Sequence, residues 1–349
     1  MGTSQHSHLW PGVPYALGAA ILFGVSTPLS KLLLGTINPW LLAGLMYLGA
    51  GVGLLLLRRT KLWVGEASLK AADYPWLIAV ILIGGVAGPL LLMFGLKLTT
   101  ASSAALLLNL EGLFTMVLAW MVFGENVDRR LLLGAFAILC GAVVLAWDGT
   151  SFSFGSGGLF IVMACFAWGV DNNLTRKLSA SDPVQIASYK CAVAGLVNVV
   201  LAFSLGSDIP SFNLVLAASL VGFFSIGVSL VFFMLALRHV GTARTGAYFS
   251  LAPFVGAIVA IVFLQEHPSV QLVAAGALMA IGLLIHLLEK HEHDHDHVEL
   301  THDHIHSHDA HHQHAHDDEI LEPHSHSHEH KPMRHKHPHF PDLHHHHSH

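Results

Sequence analysis

Charge is what this sequence lacks most. Asp, Glu, Lys and Arg make up 11% of its 349 residues, less than half the roughly 25% of an average soluble domain. The few charges are unevenly spread, so the net charge of −6 mostly describes the last sixty or so residues and gives no footprint for a nucleic-acid partner. Cysteine is also scarce. Cys140, Cys165 and Cys191 are odd in number, lie in apolar runs and have no zinc-ligand spacing, which excludes a disulfide framework and a cysteine zinc site. The start of the chain lacks a basic segment before its first apolar run, and that run is too long for a signal-peptide core, so the first helix is expected to be retained. No nucleophile–base pair or cofactor motif stands out in the apolar part, which argues against an enzyme.

What is present is hydrophobic length. The chain is 53% hydrophobic with a mean hydropathy of +0.57. Ten apolar segments run roughly over Val13–Leu34, Pro39–Leu57, Tyr74–Leu96, Ala101–Phe123, Leu131–Trp147, Gly157–Leu174, Val184–Leu205, Leu214–Leu237, Thr242–Leu264 and Val270–Leu288. About 20 residues at 1.5 Å rise cross the hydrocarbon core of a bilayer. A spanning segment must satisfy its own backbone polar groups, so these segments are predicted to be helices. The fold class is therefore an all-α integral membrane protein of ten transmembrane helices.

Arg58, Arg59, Lys61, Lys70, Arg129, Arg130, Arg176, Lys177, Arg238 and Lys290 all fall on one side of that topology. The other side has only Lys31 and Lys97, at helix ends. The bias puts both termini in the cytoplasm, as in a bacterial-type inner membrane protein. Trp40, Trp76, Trp120 and Trp147 sit near segment ends, as interfacial anchors do.

The chain also says one thing twice. Leu96 to Asn126 and Leu237 to His267 align at an offset of 141, pairing Lys97 with Arg238, Leu110 with Leu251 and Glu125 with Glu266. Upstream, Phe23-Gly24-Val25 matches Trp168-Gly169-Val170, and Lys31 matches Arg176. The repeating unit is five helices. Five is odd, so the second copy enters the membrane inverted, the signature of alternating-access carriers with a midplane site between the halves. A duplicated bundle without a transport role is the alternative.

The pattern resembles the EamA domains of the drug/metabolite transporter superfamily over about Val13 to Leu288. The residues that carry the resemblance are the short basic-to-small turn before the fourth helix of each copy, the element Phe123-Gly124-Glu125-Asn126, and the less faithful Leu264-Gln265-Glu266-His267. Pro253 stands where the family commonly has a mid-helix proline, and Gly112 is a departure from it in the first copy. The resemblance implies a ten-helix carrier with a central cavity, often an exporter of small metabolites. On these bounds residues 1–12 are a short cytoplasmic N-terminus, 13–148 and 149–288 are the two repeats, and 289–349 is a tail.

Glu111 is the sharpest candidate site residue. An ionised carboxylate at mid-membrane costs about 2.5 to 3.5 kcal/mol on insertion scales. It either takes part in transport, binding a proton or a cationic cargo, or is a structural group hydrogen-bonded to a neighbouring helix. Asp171-Asn172-Asn173 interrupts the sixth helix, and Lys190 and Arg244 lie at similar depth, so Asp171 can pair with either as a structural ion pair or a cytoplasmic gate. Ser26-Thr27-Pro28 in the first helix, and Gly84-Gly85 with Gly88-Pro89 in the third, free backbone groups that suit a cavity wall. Ser26, Pro28, Trp168 and Tyr248 complete the expected lining; Trp168 and Tyr248 fit packing equally well. Lys31 is expected to snorkel to water.

From His291 the composition changes. Of 29 histidines, 24 lie in this tail, alternating with Asp, Glu and Ser. With nothing apolar to bury, the tail is expected to be disordered. His291, His293, His295, His297, His302, His304, His306 and His308 are the candidate metal ligands, since imidazole suits zinc, nickel, cobalt and copper. The membrane part implies no cofactor. Its expected partners are the lipid bilayer and a small solute. The alternatives are a carrier of transition-metal ions or their chelates, and a metal sensor or scaffold without transport.

Overall fold

The computed structural model describes residues 12–60, 68–123, 129–147, 155–178, 181–287, 292–297, 300–306, 324–330 and 333–338. The apolar part is helical throughout. In chain order the α-helices are α1 (Gly12–Leu33), α2 (Pro39–Arg59), α3 (Tyr74–Val80), α4 (Gly88–Leu98), α5 (Ala101–Leu107), α6 (Leu110–Phe123), α7 (Arg129–Ala146), α8 (Gly155–Thr175), α9 (Pro183–Ser204), α10 (Phe212–Gly222), α11 (Ser229–Phe249), α12 (Ala252–Phe263) and α13 (Val270–Leu287). Among the described residues six helical stretches are long and apolar enough to cross a membrane, and three shorter apolar helices accompany them. α8 is not among the six, because Asp171-Asn172-Asn173 cuts into its apolar run. Phe136, Phe263, Val273 and Leu284 are exposed on the outside of the bundle, as lipid-facing side chains are.

Glycine lets the helices approach closely, the usual device where lipid supplies no hydrophobic drive. α2 packs on α9 and α10. A Cβ on Gly195 would meet the backbone of Gly44, and one on Gly222 the backbone of Met46. α7 and α13 are joined the same way, with Gly282 against the carbonyl of Gly134.

Two irregularities occur in both copies. Ile81–Ala87, between α3 and α4, is a π-helix, and so is Phe223–Val228, between α10 and α11. In the first copy Pro89 has no N–H for the carbonyl of residue 85, so the preceding turn widens. In the second, the Ser225 hydroxyl takes the Val221 carbonyl at 2.6 Å. The other irregularity is a helix break, at Leu108–Asn109 and at Ser250–Leu251. Both pairs sit at the sequence offset of 141 to within a residue.

Several sequence expectations change here. Ala101–Phe123, expected as one helix, is split into α5 and α6, because the Asn109 side chain donates to the Leu106 carbonyl at 2.9 Å and competes with the helix ladder. Pro28, expected to interrupt α1, lies within a continuous helix. The expected boundary between Leu237 and Thr242 is absorbed into α11. The chain still doubles back there. The Phe249 ring lies 4.9 Å from that of Phe233, whereas a straight helix would separate them by about 24 Å.

The described residues of the tail fall in two pairs of short segments. Four short strands, β1 (Glu292–His297), β2 (Leu300–His306), β3 (His324–His330) and β4 (Met333–Pro338), pair antiparallel as β1 with β4 and β2 with β3. Alternation of histidine with Asp, Glu or Ser has the period of two that an extended strand shares. His291 and His308 lie outside the described residues.

Candidate functional site

The wide π turn of the third span does two things. It releases the Gly84 carbonyl, which accepts a hydrogen bond from Trp168 Nε1 at 3.0 Å. It also presents two bare glycines to α8. A Cβ at position 84 would fall on the carboxylate of Asp171, and one at position 88 would lie 2.6 Å from Trp168 Nε1. Gly84 and Gly88 are therefore seats for the polar side chains of α8, not flexible points.

Asp171 is buried, and its Oδ2 accepts from Lys190 Nζ of α9. Its Oδ1 is buried and has no hydrogen-bond partner among the described residues. A carboxylate in this position has its charge met by the ammonium, but half its hydrogen-bonding capacity is unused. Tyr47, buried in α2, stands within electrostatic reach of Asp171 and Glu111.

One turn away, α6 packs on α8, with the Gly169 backbone pressed against Phe114 and Thr115. Glu111 lies in the first turn of α6, immediately after the break. Its Oε1 accepts from Asn172 Nδ2 at 3.0 Å, and the same Nδ2 donates to Thr115 Oγ1 at 3.2 Å. Thr115 Oγ1 donates to the Glu111 carbonyl at 2.9 Å. Asn173 Nδ2 ties the helices together by donating to the carbonyls of Thr115 at 3.0 Å and Gly169 at 2.8 Å. Glu111 is half-buried, Asn172 is exposed, and a Cβ on Gly112 would meet open space. A carboxylate held by the Asn172 amide thus lies beside an ammonium–carboxylate pair close enough for its charges to act on Glu111.

The structure thus gathers Glu111, Trp168, Asp171 and Lys190 in one polar region. It does not bring Tyr248 there: that ring packs with Val13, Tyr15, Ala16 and Ala236. Ser26 and Pro28 are buried within α1, and among the described residues no hydrogen bond joins them to Glu111. The side chain of Arg244 is outside the described residues. Tyr47, Thr115 and Asn172 were missed from sequence. Thr115 follows Glu111 by four residues, the spacing of helix neighbours, and was the most readable of the three. No cluster of three or more His, Cys, Asp or Glu is placed to hold a metal ion among the described residues.

The EamA-like transporter family model matches the chain twice, over residues 10–147 and 155–288. The chain belongs to the EamA-like transporter family. An uncharacterized transporter from Methanothermobacter thermautotrophicus is 32% identical to it over 79% of this chain and 86% of that one. A protein from Salmonella typhimurium described as a probable amino-acid metabolite efflux pump is 26% identical, covering 78% and 93%. A probable terminal-alkyne amino-acid exporter from Streptantibioticus cattleyicolor is 24% identical, covering 64% and 76%. A solved crystal structure superposes with a TM-score of 0.58 at 22% identity, covering 79% of this chain and 95% of that one, and shares the fold. The EamA-like protein is thus a non-enzymatic membrane transporter of small solutes.

Proposed function

We propose that the protein exports a small zwitterionic solute of the amino-acid class by alternating access. The observation that carries this is the half-buried Glu111 carboxylate at the helix break, held by Asn172 beside the Asp171–Lys190 pair. A zwitterion presents an ammonium and a carboxylate a few ångströms apart, and the site offers the complement of each: Glu111 for the ammonium, and Lys190, released from Asp171, for the carboxylate. Charge complementarity of this kind sets which solute is accepted. The two relatives described as amino-acid or amino-acid-metabolite exporters support the same class. Ser26, Pro28, Trp168 and Tyr248 are assigned to the walls of the pathway, and Arg244 to a charge pair at its cytoplasmic end.

The working arrangement is ten spans in two inverted five-helix repeats, with both termini in the cytoplasm of a bacterial-type cell. It is supported by the π-helices and breaks that recur at one offset, and by Arg58, Arg59 and Lys70 at the end of the bundle where Arg58 pairs with Asp182 at 3.4 Å. The histidine tail binds zinc, nickel, cobalt or copper from the cytoplasm and is separate from the solute path.

Uptake into proteoliposomes tests this, with labelled amino acids and amino-acid metabolites run against zinc, nickel and cobalt. Wild type, Glu111→Gln and a chain ending at Glu289 are compared. Amino-acid flux that survives truncation and is lost in Glu111→Gln is expected. Metal flux lost in Glu111→Gln, with no organic flux, would replace this function with metal transport.

A further inference from the structure

Residues from both copies meet at the outer end of the bundle, around the turn that joins α4 to α5. Lys31, in the last turn of α1, sends its ammonium into this turn instead of out to water. Its Nζ donates to the carbonyls of Leu96 and Thr99, each at 2.6 Å, and reaches that of Lys97 at 3.4 Å. These are end-of-helix carbonyls with no partner in the helix ladder. On the other flank, Glu266, from the loop after α12, accepts from the N–H groups of Ala101 at 2.7 Å and Ser102 at 2.9 Å. The charge of Glu266 also acts on Lys31. One turn is therefore gripped at both ends, by a cation of the first copy and an anion of the second, through charge-assisted bonds that are about twice as strong as neutral ones.

Below the grip, α5 is packed shut against α12. Ser102 and Ala105 are buried, and the Cβ of Ala105 would lie 3.0 Å from one built on Gly256. Past the break at Leu108–Asn109 the same span turns to α8, where Glu111 accepts from Asn172. The grip thus sits over the closed α5–α12 seam, and Glu111 lies beyond the helix break.

We propose that Lys31 and Glu266 are the gating residues of the outer face: together they hold the α4–α5 turn over the exit, and their release opens it. This rests on the transport function above. The Glu266 contact crosses between copies, so any separation of α5 from α12 must break it, while the Lys31 contacts lie within the first copy and anchor the same turn to α1. In the sequence the first copy carries Glu125 and the second Arg176 at the matching positions.

The test reads access and needs no solute, so it stands whether or not amino acids are the cargo. A Cys140→Ala background, in which Cys165 and Cys191 are buried, receives Ala105→Cys. Labelling by a membrane-impermeant maleimide is timed in right-side-out and inside-out vesicles for this parent, Glu266→Gln and Lys31→Gln. Each variant is expected to label about tenfold faster than the parent from outside only, as a latch that biases a two-state gate requires. Glu266→Asp and Lys31→Arg keep charge and donors or acceptors. They should fall between, and they stand in if a glutamine variant does not fold. A parent-like rate from outside in either variant, or acceleration only from the cytoplasmic face, overturns the proposal.

Discussion

The two helix breaks occupy the same place in the repeat and do opposite work. In the second copy the break delivers Ala252, which is 1% exposed and whose carbonyl presses on Gly24 of α1. In the first copy the corresponding residue is Glu111, half-buried and held by Asn172 of α8. The surrounding scaffold is otherwise alike. Gly24 meets Val255 as Gly169 meets Phe114, and these pairs match at the repeat offsets. Duplication built a symmetric frame, and the chemistry was placed in one half only.

The sharpest way to break this comparison is to make the copies alike. Ala252→Glu sets a second carboxylate against the backbone of α1, where Thr27 stands in place of Asn172. An uncompensated buried charge costs about 3 kcal/mol or more. Little folded protein should accumulate in membranes, as read by fluorescence-detected size exclusion. Glu111→Gln makes the copies alike from the other direction. The fold should persist, because Gln still accepts from Asn172, while solute flux should drop by about two orders of magnitude if the carboxylate is worth the roughly 3 kcal/mol of an intramembrane charge. Unchanged flux would make Glu111 a structural group.

Two smaller effects sharpen the picture. Gly84→Ala drives a methyl group into the Asp171 carboxylate, and overpacking of this kind costs about 1 to 3 kcal/mol. The melting temperature in detergent should fall by several degrees and flux should fall about tenfold, with Gly85→Ala, which meets the Ala194 methyl and only the stem and backbone of Lys190, as the comparison. Thr115→Ala removes one acceptor from Asn172 and one donor to the Glu111 carbonyl. A loss of about 1 kcal/mol predicts a few-fold lower affinity for solute, with the maximal rate changed less. The smallest effect on transport is expected from ending the chain at Glu289. Flux should match wild type, and only equilibrium dialysis against zinc or nickel should register the loss.

Much of the frame could be read from the residues, because its signals are local. Twenty apolar side chains in a row, the breaker residues between runs and the offset of 141 need no knowledge of what touches what. Glu111 was legible for the same reason, since a carboxylate in such a run has no ordinary explanation. The glycine pairs of the third span were noticed, but their purpose was not. Nothing in Gly84 itself says that Asp171, 87 residues later, needs the room. The break at Asn109 was missed because an apolar run does not reveal that one amide will turn back onto its own helix. From its type and position Tyr248 fitted lining and packing equally, and its ring packs against the cluster of Ala16 and Ala236.

By itself, then, the sequence determined that this chain lives in a bilayer, that it is built from two copies of one unit, and that a single carboxylate breaks the apolar pattern of the first. Hydrophobic length and internal similarity are properties of a segment, and they survive without a partner. Tertiary structure alone decided that Glu111 is held by Asn172, that Asp171 takes Lys190, and that Lys31 and Glu266 close on the same turn. Those pairings join residues from 19 to 165 positions apart. They depend on which helices glycine allows to touch, a choice made by the packing of the whole bundle.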